Sequence, residues 1–198
     1  MKSDTDGNQL HQSKKIKYIL IGLGLLCILI ITIVSIYKVT YSPRSKNERA
    51  IKAVVTSVLT CPDIELIQLM ELCATKIGQG FIEEPKPEDL ERFDNKMKDM
   101  FGPYLTENTL HYIKMSALRY HLIAEEKGYK TWVEDIEINQ DKKDSRNYTF
   151  TIHLEYSGTN IPKKQLVVSG RAQCLEKGKI TFLRFSDDFF KNELMNSN

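Results

Sequence analysis

The sequence predicts an N-terminal transmembrane helix followed by an α+β domain. Three observations carry this. A twenty-residue block, Tyr18 to Tyr37, has no charged side chain. From Asn47 apolar residues recur three and four apart, as on a helix face. After Gly128 the apolar period drops to two, as on strands with one buried face.

The uncharged block reads YILIGLGLLCILIITIVSIY. As a helix it reaches roughly 30 Å, the thickness of a bilayer's hydrocarbon core. It is apolar on all sides, so the predicted surroundings are lipid rather than a protein core. Tyr18 and Tyr37 stand at its ends, where amphipathic rings favour the interface. Lys14, Lys15, Lys17 and Lys38 bracket it and can snorkel to the headgroups. The block is longer than a signal-peptide core, and no A-x-A pattern follows it, so a retained anchor is expected. Flanking Lys and Arg are nearly balanced. A short tail is easily retained, and long domains translocate regardless of charge, so the expected topology is N-terminus inside, C-terminal domain outside.

The expected organisation is a tail over 1–17, the span over 18–37, a stalk over 38–46, the domain over 47–188 and a second tail over 189–198. In the domain, Ala50, Ile51, Val54, Val55 and Val58 mark a first helix. Cys61-Pro62-Asp63 breaks it, and Asp63 is placed to cap a second helix carrying Leu66, Leu69, Met70, Cys73 and Ile77. Pro87 opens a third, acidic in its first turn, with Leu90, Phe93, Met97 and Phe101 on its buried stripe. Gly102-Pro103 ends it. A capping-type start follows at Thr106, with Leu110, Ile113 and Leu118 as further core candidates.

Four strands follow. Trp132, Ile136 and Ile138 are read as one face of the first, interrupted by Glu134. Tyr148, Phe150, Ile152, Leu154 and Tyr156 alternate through the second. Leu166, Val168, Gly170, Ala172 and Cys174 line the third, where a mid-strand glycine suggests a bend or bulge. Lys177-Gly178 turns into the fourth, Lys179 to Phe185. About three helices followed by a four-stranded antiparallel meander make an α+β domain.

The charge distribution limits the partners. The 198 residues hold 28 Lys and Arg against 26 Asp and Glu. Resolved along the chain, the tail is +2, the span zero, residues 38–52 are +4 and residues 53–198 are −4. Nucleic-acid binding needs a basic surplus on the folded part, and none is present. The local surplus is a collar next to the span: Arg44, Lys46, Arg49 and Lys52, with Lys38 before them. Beside anionic lipid such residues contribute about 1 kcal/mol each; the alternative is an ordinary snorkelling flank.

Catalytic, cofactor and metal signatures are absent. No GxSxG, HExxH, GxxxxGK[ST] or GxGxxG occurs. The four Cys (27, 61, 73, 174) have no CxxC spacing, so no zinc site is expected. Cys61 and Cys73 leave open a disulfide or two buried thiols. His111, His121 and His153 have no partner fixed by spacing. Asn147-Tyr148-Thr149 has the form of a glycosylation sequon but reads as a turn entering a strand.

The helix pair, the third helix running into FGPYL, and the closing strands through GRAQCLEKGKITFLRF resemble the nuclear transport factor 2-like superfamily. That resemblance implies a cone: a curved sheet wrapped over helices. A short inner tail, one span and one such domain outside is similar in plan to inner-membrane scaffold proteins of type IV secretion and conjugation in Gram-positive bacteria. It implies a non-enzymatic assembly module at the cell envelope that self-associates and contacts other envelope proteins. The same superfamily includes enzymes of the ketosteroid isomerase type. This leaves a second expectation, a tethered small-ligand binder or enzyme working in the concave pocket. For that chemistry Asp135, Tyr104 and Tyr120 are the residues offered by position, with no motif assigning them a role.

Overall fold

A computed structural model describes residues 25–35, 43–74, 76–78, 81–158 and 161–186. The chain divides into two units, Met1–Ser45 and Lys46–Asn198. In the first unit residues 25–35 form a helix, α1. Its eight large aliphatic side chains, from Leu25 to Val34, are between 46% and 64% exposed, so no side of the helix is covered. Among the described residues no helix is long and apolar enough to cross a membrane. The span expected over 18–37 extends on both sides beyond the part described, and Tyr18, Tyr37, Lys14, Lys15, Lys17 and Lys38 lie outside the described residues.

Helix α2 runs Pro43–Leu59, so residues 43–46, expected as stalk, are already helical. Pro suits a first helical turn because its missing N–H has no intrahelical acceptor there. Helix α3, Ile64–Leu72, is capped as expected: Asp63 Oδ1 accepts from the Leu66 N–H at 3.0 Å. It ends earlier than its apolar pattern suggests. Cys73 is the C-cap, and Ile77 belongs to a two-stranded ribbon, β1 (Lys76–Gly78) with β2 (Phe81–Glu83). Helix α4, Pro87–Phe101, has the expected limits. Met97 and Phe101 are buried on it, whereas Leu90 is exposed. Helix α5, Glu107–Lys127, is much longer than the start seen at Thr106, and Gly128 closes it in the left-handed region at φ +67°. A residue with a Cβ pays strain there, which makes glycine the natural switch from helix to strand.

Strands β3 (Tyr129–Gln140), β4 (Asn147–Gly158), β5 (Ile161–Gln173) and β6 (Phe182–Phe185) form one antiparallel sheet in sequence order. On β4 the alternation holds as read. On β3 it does not. Val133 pairs with Leu154 and Asp135 with His153, leaving Glu134 as an extra residue. This bulge reverses the phase, so Trp132, opposite Glu155, faces away from the side that carries Ile136 and Ile138. Gly170 is no bulge. It holds register with Phe150 and Phe185, and a Cβ there would sit 2.3 Å from Phe150 Cζ. The glycine makes room for the aromatic ring across the strands.

The inner face of the sheet forms one core with the helices. Ala50, Ile51, Val54, Val55 and Val58 of α2 meet Phe101 of α4, Ala117 of α5, and Phe150, Ile152, Leu154 and Val168 of the sheet. Burial of each large aliphatic contributes on the order of 2 kcal/mol, so this cluster dominates the domain's stability. The observed class is α+β with a four-stranded antiparallel sheet.

Candidate functional site

The basic collar lies on the face of α2 that the core does not use. Lys46, Arg49 and Lys52 follow at i, i+3 and i+6, one stripe of a helix. The buried residues Asn47, Ala50, Ile51, Val54 and Val58 occupy the other side. Arg49 and Lys52 are exposed, Lys46 is partly so, and Arg44 is exposed in the first turn. Asn47 anchors this helix at the same level. Its Nδ2 donates to Tyr148 Oη at 3.0 Å, and its Oδ1 accepts from the Gly178 N–H at 2.7 Å. The basic stripe is thereby fixed to β4 and to the turn at Gly178.

The residues offered for catalysis are not brought together. Asp135 is on the outer sheet face, opposite His153. Tyr104 and Tyr120 pack against the inner core, with Tyr120 edge-on to Phe185 at 6.1 Å. His121 is fully buried and used structurally. The Asp63 N–H donates to its Nδ1 at 2.9 Å, which places the ring proton on Nε2, 3.2 Å from Ser57 O. Burial lowers its pKa, with the Ser57 carbonyl and Asp63 opposing. The ring ties the break after α2 to α5. His153 Nε2 is 3.9 Å from Glu137 Oε1, both side chains being open to solvent.

The cysteines are free thiols. Cys61 Sγ donates to Val58 O and Cys73 Sγ to Asp89 O, each at 3.3 Å, so these two are on separate partners. Burial pushes Cys61 and Cys174 up to about 12, which suppresses thiolate chemistry. Tyr129 Oη, in a satellite cluster with Cys61, Ala124 and Tyr156, is buried without a hydrogen-bond partner among the described residues. Among the described residues no group of His, Cys, Asp or Glu could hold a metal. Asn147 is engaged as a turn residue. Its Oδ1 accepts from Gln173 Nε2 at 3.0 Å, and its Nδ2 donates to Asp144 Oδ2 at 3.3 Å.

One charged site escaped the sequence. Glu155 lies on the outer, wet face of β4 yet is only 2% exposed. Its cross-strand neighbours are Trp132 and Gln165. Gln165 Nε2 reaches over β4 to Glu134 Oε2 at 3.1 Å and roofs the carboxylate. Lys163 pairs with Glu155, its Nζ 5.8 Å from the Trp132 ring centroid. A buried carboxylate is tolerated when a cation and hydrogen bonds replace its water, and Lys163 supplies the cation. The outer end of the sheet is therefore an ordered patch of Trp132, Glu155, Lys163 and Gln165. The one cue in the sequence was Glu134 interrupting the apolar face of β3, at the bulge that places Trp132 opposite Glu155.

No protein-family model matches the chain, and no curated protein matches it.

Proposed function

We propose that this is a single-pass membrane protein whose folded domain is a binding or assembly module outside the cytoplasmic membrane. The observation that carries it is α1: an eleven-residue helix, aliphatic on every side and covered on none. In water such a surface is unfavourable by about 25 cal/mol per Å², and lipid removes that cost. The uncharged sequence continues to Tyr18 and Tyr37, long enough to reach across a bilayer.

The basic stripe of α2 fits a position near anionic headgroups. The order of helices and meander fits the nuclear transport factor 2-like plan, and the anchored version of that plan fits an envelope scaffold of a conjugation or secretion machine. Partition tests the reading. The full chain is expected to stay in the membrane pellet through high salt and alkaline carbonate and to be released by detergent. A chain lacking residues 1–40 is expected to be soluble. Release of the full chain by salt alone would end the proposal.

A further inference from the structure

Among the described residues part of one sheet edge has no partner. Strand β6 pairs only with Gly170 to Gln173 of β5, and the Ser186 N–H adds one bond to Ser169 O at 2.8 Å. Ser169 therefore points its backbone groups toward β6. By alternation Val167, Gln165 and Lys163 point theirs the same way, with no partner among the described residues. Native edges are commonly protected by Pro, Lys, bulges or cover. The far edge, β3, has the bulge and the acids Glu134, Asp135 and Glu137. On β5 protection stops at Pro162-Lys163-Lys164, and Lys163 is already paired with Glu155. Gln165 to Val167 is a neutral edge, and Val167 is 59% exposed.

The chain's own next residues suit this edge poorly. Extending the β6 register past Ser186 would set Asp187 opposite Val168, on the apolar face, and Lys191 opposite Lys164. A second copy suits it well. Two β5 edges placed antiparallel about Gln165 set Lys163 opposite Val167 of the other copy, so no like charges face each other. That register uses all three bare residues on each side, for about six inter-chain hydrogen bonds. Copies tethered in one membrane would also meet at raised local concentration.

We infer that the domain self-associates through the β5 edge, Lys163 to Val167, in a two-fold antiparallel pairing centred on Gln165. This rests on the reading of the protein as an assembly module and names a partner for it. The test uses the full chain in membranes, with Cys27 and Cys73 replaced by Ser and Gln165→Cys introduced. A short bis-maleimide is expected to give a cross-linked dimer. Thr149→Cys, on the outer face away from the edge, is expected to give none. Adding Val167→Pro removes a donor that points off the sheet, and should lower the cross-link at 165 about tenfold. The variant's circular dichroism and melting midpoint, unchanged, would show that the fold survives. If Val167→Pro unfolds the chain, Val167→Lys, which sets a second cation opposite Lys163 of the other copy, replaces it with the same expected loss. Equal cross-linking at 149 and 165, no dimer at all, or a dimer indifferent to both edge variants would overturn the inference. Fractionation of the same membranes separates the two ideas: a chain anchored but monomeric contradicts only the pairing, and a chain released by salt contradicts the anchor.

Discussion

His121 shows how much a single buried side chain can decide. Its neutral ring accepts from the Asp63 N–H and faces the Ser57 carbonyl, so protonation would break the first bond and place a charge in a fully buried site. Its folded pKa is lowered, chiefly by burial. The neutral ring's contribution is therefore complete above the unfolded value, about 6.5, and is lost as pH falls from there toward the folded pKa. The melting midpoint of the wild type should drop between neutral and mildly acidic pH. His121→Asn should be less stable at pH 7.5 by about 1–3 kcal/mol and lack that part of the pH dependence. Parallel slopes for the two proteins would refute the role. Gly170 is a second case. Gly170→Ala would press a Cβ to within 2.3 Å of Phe150 Cζ and 2.6 Å of Arg184 O. The expected cost is about 1–3 kcal/mol by chemical denaturation, and Phe150→Leu should recover only part of it, because the carbonyl stays. Neither role was legible in advance. His121 finds its partners 58 and 64 residues away, and spacing along a chain does not report such contacts.

At the scale of elements, what the sequence made legible depended on whether the deciding forces were local. Helix α4 has its expected limits because Pro87, the acidic first turn and Gly102 all act within a turn of the ends. Strand β4 alternates cleanly because its inner face is core throughout. Strand β3 was misread because one extra residue, Glu134, shifts its phase, and Ile136 and Ile138 alone suggested the wrong face for Trp132. Helix α3 stops at Leu72 although apolar residues continue, since the ribbon at 76–83 takes over. The outer face of the sheet carries its own prediction. Lys163→Ala leaves Glu155 roofed without a cation and should cost about 1–3 kcal/mol, while Lys163→Ala with Glu155→Gln should restore most of it. Additive losses in that cycle would mean that the pair is only a surface contact.

At the scale of the whole molecule, two kinds of apolar surface divide the chain. The domain from Lys46 turns most of its aliphatic residues inward, the majority onto one core. The helix at 25–35 keeps them all outward. Their charges differ as well: nothing across 18–37, a basic stripe on α2, a net acidic remainder. Under the proposed function these are a membrane tether and a folded module, and the side of the membrane on which that module is proposed to lie is its central claim. A membrane-impermeant maleimide applied to intact cells tests it most directly, using the full chain with Cys27 and Cys73 replaced by Ser and Thr149→Cys on the exposed outer sheet face. The account predicts labelling at 149 without permeabilisation, with Ser13→Cys in the N-terminal tail labelled only after it. Labelling of 149 only in permeabilised cells would contradict it.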